Sequence, residues 1–431
     1  MQREKKTYTI AKGQLEDVKL RMLNWASQFS IFMYLDSNNY TEKYMQYHCL
    51  AGIGCTTFLD TTDADALDKI HAWHNENKDW LFGNINYDYK NTLEPKLHSA
   101  KEKRIDFPEV YFFNPTVVCS INLGKNQLAI ESYDITPDEV YNAMMHLPPM
   151  NDTPLPKVTF KQRVEKEHYL QTINRLKQHI ADGDCYEINY CTESYAEKVS
   201  LTPRTAFKAL NNISPAPFSA FYRYKDSYMM CASPERYLQK EGAKVIAQPI
   251  KGTAPRGFDE QRDEEIMAAL AESIKDRAEN VMIVDLMRND LARSCKVGSV
   301  QVDELFGIYT FPQVHQMIST VSGELKDDVP FTDAIKYSFP MGSMTGAPKI
   351  KVMELIEQYE QSRRELFSGT VGYISPDGDF DFNVIIRSLF YNAETQYLSF
   401  QAGGAITYDS MPEKEYEEMQ LKSWAMAQIF Q

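Results

Sequence analysis

The chain has 431 residues, 43% hydrophobic and 25% charged, which suits a folded globular protein of two domains or one large two-layer unit. Its formal net charge of -14 argues against indiscriminate nucleic-acid binding, yet leaves room for an anionic small molecule held by local cations and backbone donors. Seven scattered cysteines without a C-x-x-C pair suit a reducing cytoplasm, and no apolar run reaches signal-peptide or membrane-spanning length, so the expectation is a cytoplasmic protein without nucleic-acid or membrane partners.

Residues 1–150 read as aromatic strands with short helices between them. His71 and His74 lie one helical turn apart but lack an evident third ligand, so a structural or surface role is expected rather than a metal. Leu35-Asp-Ser-Asn-Asn39 is turn chemistry following an apolar strand. The stretch 147–157, LPPMNDTPLPK, is the linker candidate and divides the chain into a variable N-terminal region, 1–150, and a second region, 155–431.

Beyond it, Leu170, Ile173, Leu176 and Ile180 share one helix face that Gly183 ends. Tyr186 to Val199 alternates as a strand, and Pro215 to Met230 forms a hairpin turning near Lys225-Asp-Ser227. A second hairpin runs from Tyr237 to Ile250 with its turn at Glu241-Gly242. Pro249 removes a ladder donor, so the strand stops or sits at an edge there. Lys251 and Gly252 follow directly. An ammonium at a strand end beside open backbone can reach into a cleft, where desolvation would lower its pKa and leave a nucleophilic amine; equally, it could be a solvated loop lysine. Glu235, in Ser233-Pro-Glu-Arg236, is placed to act as a general acid or base, or simply to pair with a neighbour.

Residues 259–290 read as one long helix on which Asp276 and Glu279 share a face with Ile283. Glu415 and Glu418 repeat that spacing in the final helix. Two carboxylate pairs could share one Mg²⁺, with an anionic substrate and water completing its shell; acidic pairs also arise by chance and solvate helices. Residues 339–350, FPMGSMTGAPKI, form a glycine-rich loop before a helix, a place for an anion. A hairpin turning at Pro376-Asp-Gly378 carries Tyr373 and Arg387 in its strands. An arginine in the apolar run VIIRSLF demands an anionic partner. The small-residue run Ala402-Gly-Gly-Ala405 could offer backbone N–H groups to a carboxylate.

Taken together, SPER, PIKGT, DRAENVMIVDLMRNDLAR, FPMGSMTGAPK, GTVGY, IIRS, QAGGA and the closing EKEYEE resemble the chorismate-utilising enzymes over about residues 160–431. The N-terminal part resembles the family's variable region loosely, through LDSNN and FGNINYDYKN. The family implies an α+β fold of two stacked antiparallel β-sheets flanked by helices, with the N-terminal strands completing the sandwich.

The lysine of PIKGT resembles the branch that aminates chorismate at C4, the aminodeoxychorismate synthases, where anthranilate synthases usually carry alanine. Alternative readings on the same fold are anthranilate or isochorismate synthesis, or a non-catalytic chorismate-binding or glutaminase-regulating module. The resemblance implies that Lys251 attacks C2 of chorismate while Glu235 assists the departing C4 hydroxyl. It also implies that Glu279 and Glu418, with Asp276 and Glu415 in support, hold Mg²⁺. Tyr373, Arg387 and the Gly403-Gly404-Ala405 backbone would bind substrate carboxylates, with Gly252, Thr253 and Thr345 lining the site. Ammonia would come from a PabA-like glutamine amidotransferase, since no glutaminase signature is present. Ser37 falls where relatives hold tryptophan, as a candidate pocket or a plain turn. Three departures stand out: Asp276 replaces a usual glutamate, Ala405 replaces a glycine, and Gln316 replaces a histidine. The neighbouring His315 faces the opposite side of its strand and takes no catalytic role.

Overall fold

The computed structural model describes residues 3–41, 43–147, 153–311 and 314–431. Part of the proline-rich stretch, 148–152, lies outside the described residues, so the linker expectation is left where it stood. Among the described residues, strands assemble into a twelve-stranded and a ten-stranded sheet. The pairings in both are antiparallel. A core containing Met33, Tyr222 and Met229 from one sheet and Leu238, Val245 and Phe382 from the other stacks the two face to face. On the outer face of the larger sheet, helices Leu15–Ala26, Pro137–Met145 and Pro203–Ile213 bury Met22, Val140 and Phe207 against Phe32 and Phe221.

Strands from the N-terminal region are interleaved with later ones in both sheets. Ile31–Asp36 lies between Tyr47–Ile53 and Phe218–Tyr224. Leu81–Ile85 pairs with Thr370–Ile374 in the smaller sheet. The hairpin signals hold: Phe218–Tyr224 and Ser227–Ser233 join at a turn where Lys225 has φ 55°, and Arg236–Glu241 and Lys244–Gln248 join at Gly242. Pro249 interrupts the edge as its missing donor requires. Lys244–Gln248 ends before it, Ile250–Pro255 resumes after it, and both pair with the same Val314–Glu324 strand.

Two expectations are corrected. Residues 259–290 are not one helix but two, Glu260–Glu272 and Ile274–Ser294, divided at an extended Ser273. Ser273 caps the second helix, its Oγ accepting from the Asp276 amide at 3.3 Å while donating to the Asp276 carboxylate. Arg387 does not sit in a strand. It stands at φ 51° between Phe380–Asn383 of the smaller sheet and Ser388–Asn392 of the larger one, where the chain crosses from sheet to sheet.

The glycine-rich loop is fixed from below by a buried ion pair. Arg364 gives bonds of 3.0 and 2.7 Å to the two Glu360 oxygens, 2.7 Å to the Met344 carbonyl and 2.8 Å to the Asn189 carbonyl. Glu360 in turn accepts from the Cys191 amide at 2.8 Å. Replacing Arg364 by methionine leaves a buried carboxylate unpaired, and we expect a loss of roughly 3–5 kcal/mol in urea denaturation. The double variant Arg364→Met/Glu360→Leu should be markedly less destabilised than the single one; an equal or larger loss would show that loop anchoring, not the stranded charge, dominates.

Candidate active site

Lys251 lies on the strand Ile250–Pro255 at the edge of the smaller sheet, and Glu187 begins the strand Glu187–Ala196 near the edge of the larger one. Their side chains meet across the gap between sheets, Lys251 Nζ donating to Glu187 Oε1 at 2.5 Å. Both are buried, at 8% and 0% exposure, which rules out the solvated-loop reading of the lysine. The depressed ammonium anticipated from desolvation is not found. Burial does pull the Lys251 pKa down, but the carboxylates of Glu187, Glu279 and Glu235 outweigh it and hold it above the usual lysine value.

Glu235 occupies a second crossover between sheets. Ser227–Ser233 belongs to the larger sheet and Arg236–Glu241 to the smaller, so the connecting Pro234-Glu235 faces the space between them. The two crossovers are tied together, the Val384 amide donating to the Glu235 carbonyl at 3.0 Å. Burial lifts the Glu235 pKa to about 7 against the opposing pull of the Ser343 hydroxyl, Lys251, the Ile250 amide and Arg387. Arg387 is desolvated enough to lower its own pKa, with Glu235 as its countercharge. Among the described residues it forms no salt bridge, so Glu235 balances its charge only from beyond ion-pair distance.

Gly252, at φ 95°, packs so closely that an added Cβ would stand 3.1 Å from the Cβ of Asp276, which seats the lysine strand on the start of helix Ile274–Ser294. Thr253 is exposed and registers with Gln316. Thr345 is buried, but its hydroxyl donates to the Met341 carbonyl at 3.0 Å and so shapes the loop from within. The strand Tyr397–Ile406 pairs with Ser388–Asn392 only as far as Phe400; from Gly403 to Ala405, among the described residues, it has the Glu187–Ala196 strand on one side alone, which leaves alternate amides without a strand partner on the other. A Cβ on Gly404 would lie 3.3 Å from Glu415 Oε2 and 3.7 Å from Glu418 Oε1, so the final helix presents both acids to this backbone.

The acidic pairs converge around Lys275, whose Nζ stands 3.8 Å from Glu279 Oε1 and 3.9 Å from Glu415 Oε1. Burial raises Glu279 to about 7, and its Oε1 is buried without a hydrogen-bond partner. Glu418 is paired with Lys422 at 2.7 Å. Asp276 is engaged by its helix cap. Among the described residues, no three His, Cys, Asp or Glu groups stand close enough to hold a metal ion by themselves. The donor set is nonetheless all oxygen, and Glu279 Oε1, with Lys275 no nearer than 3.8 Å, accepts no hydrogen bond. Both suit a hard divalent ion whose shell is completed by water and substrate.

Tyr373 is not part of this group. Its strand is separated from the Lys251 strand by four others, and its ring lies against Tyr47, Trp80 and Phe82. It lines a second cleft together with Ser37, Asp36, Phe218 and Asn383. Ser37 forms a turn, its carbonyl accepting from Tyr40 N at 3.0 Å, and its hydroxyl is buried without a hydrogen-bond partner. His315 holds structure, with ring nitrogens 2.9 Å from Asp263 Oδ1 and Thr310 Oγ1. His74 bonds the Ser375 carbonyl at 2.8 Å.

Glu187 and Ser343 were missed in the sequence. Glu187 had a legible signal, an acid in the strand-like run YEINYC that needs a countercharge if buried. Ser343 had none, because its role depends on where the loop lands.

Residues 32–428 match the sequence profile of the chorismate binding enzyme family. Aminodeoxychorismate synthase component 1 of Bacillus subtilis (strain 168) is 31% identical over 389 residues, 84% of this chain and 82% of that protein. Its counterpart from Escherichia coli (strain K12) is 40% identical over 259 residues, 60% of this chain and 56% of that protein. Aminodeoxychorismate synthase of Streptomyces griseus is 41% identical over 263 residues, 61% of this chain but 36% of that protein. The chain thus spans about half the length, or less, of several curated relatives it matches. The fold is that of anthranilate synthase component I from Streptococcus pneumoniae TIGR4, with a TM-score of 0.76 at 24% identity over 92% of each chain. It is also that of MenF, the menaquinone-specific isochorismate synthase from Escherichia coli, with a TM-score of 0.78 at 16% identity over 100% of this chain and 95% of that one. With a profile match over most of its length and the same stacked sheets throughout, this chain belongs to the chorismate binding enzyme family.

Proposed function

We propose that this chain converts chorismate and ammonia to 4-amino-4-deoxychorismate, on the route to 4-aminobenzoate and folate, as the first component of an aminodeoxychorismate synthase. Its partner would be a PabA-like glutamine amidotransferase that releases the ammonia, and its compartment the cytoplasm. The observation that carries this reading is the position of Lys251: buried, in the PIKGT context, and within electrostatic reach of Glu187, Glu235 and Glu279. The names of the relatives point the same way.

In this reading Lys251 Nζ bonds to C2 of the ring, the ring electrons shift, and the C4–O bond breaks. Glu235, carrying a proton near neutral pH, supplies it to the departing hydroxyl, which leaves as water. Ammonia then adds at C4 as the C2–N bond breaks in the reverse shift. Arg387 and the open amides of Gly403 to Ala405 are suited to the substrate carboxylates. Mg²⁺, when bound, would neutralise a ring carboxylate and the charge that develops beside it. Glu279 and Glu418 would hold it, with Glu415 behind them and Asp276 acting at most through water. The Ser37–Tyr373 cleft is a candidate tryptophan pocket, separate from this chemistry.

Purified protein given chorismate, Mg²⁺ and ammonium should yield 4-amino-4-deoxychorismate by chromatography. Without ammonia, intact-mass spectrometry should show an adduct on Lys251 that Lys251→Ala lacks. Anthranilate as the product, or unchanged turnover by Lys251→Ala, would overturn the reading. Because Glu235 must carry its proton, and its protonated fraction falls as pH rises, kcat/KM for chorismate should decline as pH passes about 7. A flat profile through pH 9 would remove Glu235 as the acid. Chelation of divalent ions should abolish turnover, and added Mg²⁺ should restore it. Glu279→Gln should weaken Mg²⁺ binding in calorimetry with chorismate present; unaltered binding would place the ion elsewhere.

A further inference from the structure

The reaction needs a neutral amine, yet Lys251 is held as an ammonium by its surroundings, and a proton must leave before Nζ can attack. The acceptor has to be within hydrogen-bonding distance, shielded from water and otherwise uncommitted. Glu187 Oε1 is 2.5 Å from Nζ, Glu187 is fully buried, and its Oε2 has no hydrogen-bond partner. The strand is also pinned at this residue, since an added Cβ on Gly346 would stand 2.1 Å from the Glu187 carbonyl oxygen.

We propose that Glu187 is the catalytic base of the first half-reaction, taking the Lys251 proton as the amine attacks. This rests on the proposed amination. The step balances: the proton moves from Nζ to a Glu187 oxygen, and the freed nitrogen pair forms the C2–N bond. When ammonia later displaces it, lysine departs as a neutral amine and recovers the proton from Glu187. The other charges facing Lys251 are poorly placed for the task. Glu235 is assigned to the departing hydroxyl, and Glu279 faces Lys275. Glu418 is paired with Lys422, and Arg387 carries no basic site. Cys191, which Lys251 also influences, is a buried thiol whose pKa burial pushes up to about 12.

A proton inventory gives the test. The pair Lys–NH₃⁺···⁻OOC–Glu and the active pair Lys–NH₂···HOOC–Glu hold the same number of protons, so adduct formation in the wild type gains no acid limb from this step. Glu187→Gln keeps the shape and a hydrogen bond, but the lysine must then lose its proton to solvent. Rapid-quench mass spectrometry of the Lys251 adduct should show a rate in Glu187→Gln rising nearly tenfold per pH unit on the acid side. At pH 6 it should be about 100-fold below wild type. Chorismate KM should change less than about threefold, and Glu187→Asp should recover part of the rate. A uniform loss at every pH, or a wild-type rate, would overturn the proposal.

If wild-type protein forms neither adduct nor 4-amino product, the functional reading fails on its own. The pairing is then judged by acylation of Lys251 with acetic anhydride against pH. The reactive midpoint should fall in Glu187→Gln; an unmoved midpoint would show that Glu187 does not govern this proton.

Discussion

The ion pair between Lys251 and Glu187 joins the two sheets at their edges, and the rest of the site is arranged around it. A buried pair of this kind is a poor source of stability, because both ions lose water and only good geometry compensates. Its value here is positional. It fixes an amine within electrostatic reach of three carboxylates, one of which, Glu235, also faces Arg387. Glu235 and Arg387 reach the space between the sheets because each sits where the chain steps from one sheet to the other. A sandwich has few places where a charged side chain can point between its layers without disrupting packing, and crossovers are among them.

That geometry also explains which groups carry perturbed protonation. Glu235 and Glu279 are both lifted to about 7 by burial, while Lys251 is kept charged by the same neighbours. Carboxylates that desolvation alone would force to neutrality are partly stabilised by the lysine, and the lysine by them. Small displacements of charge at such a site redistribute protons among these groups.

Much of this was legible in the sequence because local chemistry dictates it. The turn at Gly242, the interruption at Pro249 and the inward face from Glu279 to Ile283 follow from single residues and their spacing. The helix break at Ser273 was also written there, as a serine three residues before an aspartate, but a long amphipathic pattern masked it. What could not be read was long-range placement. Nothing near Tyr373 says that four strands will separate it from Lys251, and nothing near Arg387 says that its chain changes sheets. Glu187 and Lys251 come together only through the stacking of sheets.

The interleaving of strands has a consequence for how the molecule is made. Ile31–Asp36 acquires one of its neighbours only when Phe218–Tyr224 has emerged, and Leu81–Ile85 waits for Thr370–Ile374. A nascent chain therefore carries apolar strands with open edges through most of its synthesis, and the contacts that close them are among the most distant in sequence. Such high contact order implies slow, late consolidation, with strand edges open to aggregation until the C-terminal strands arrive.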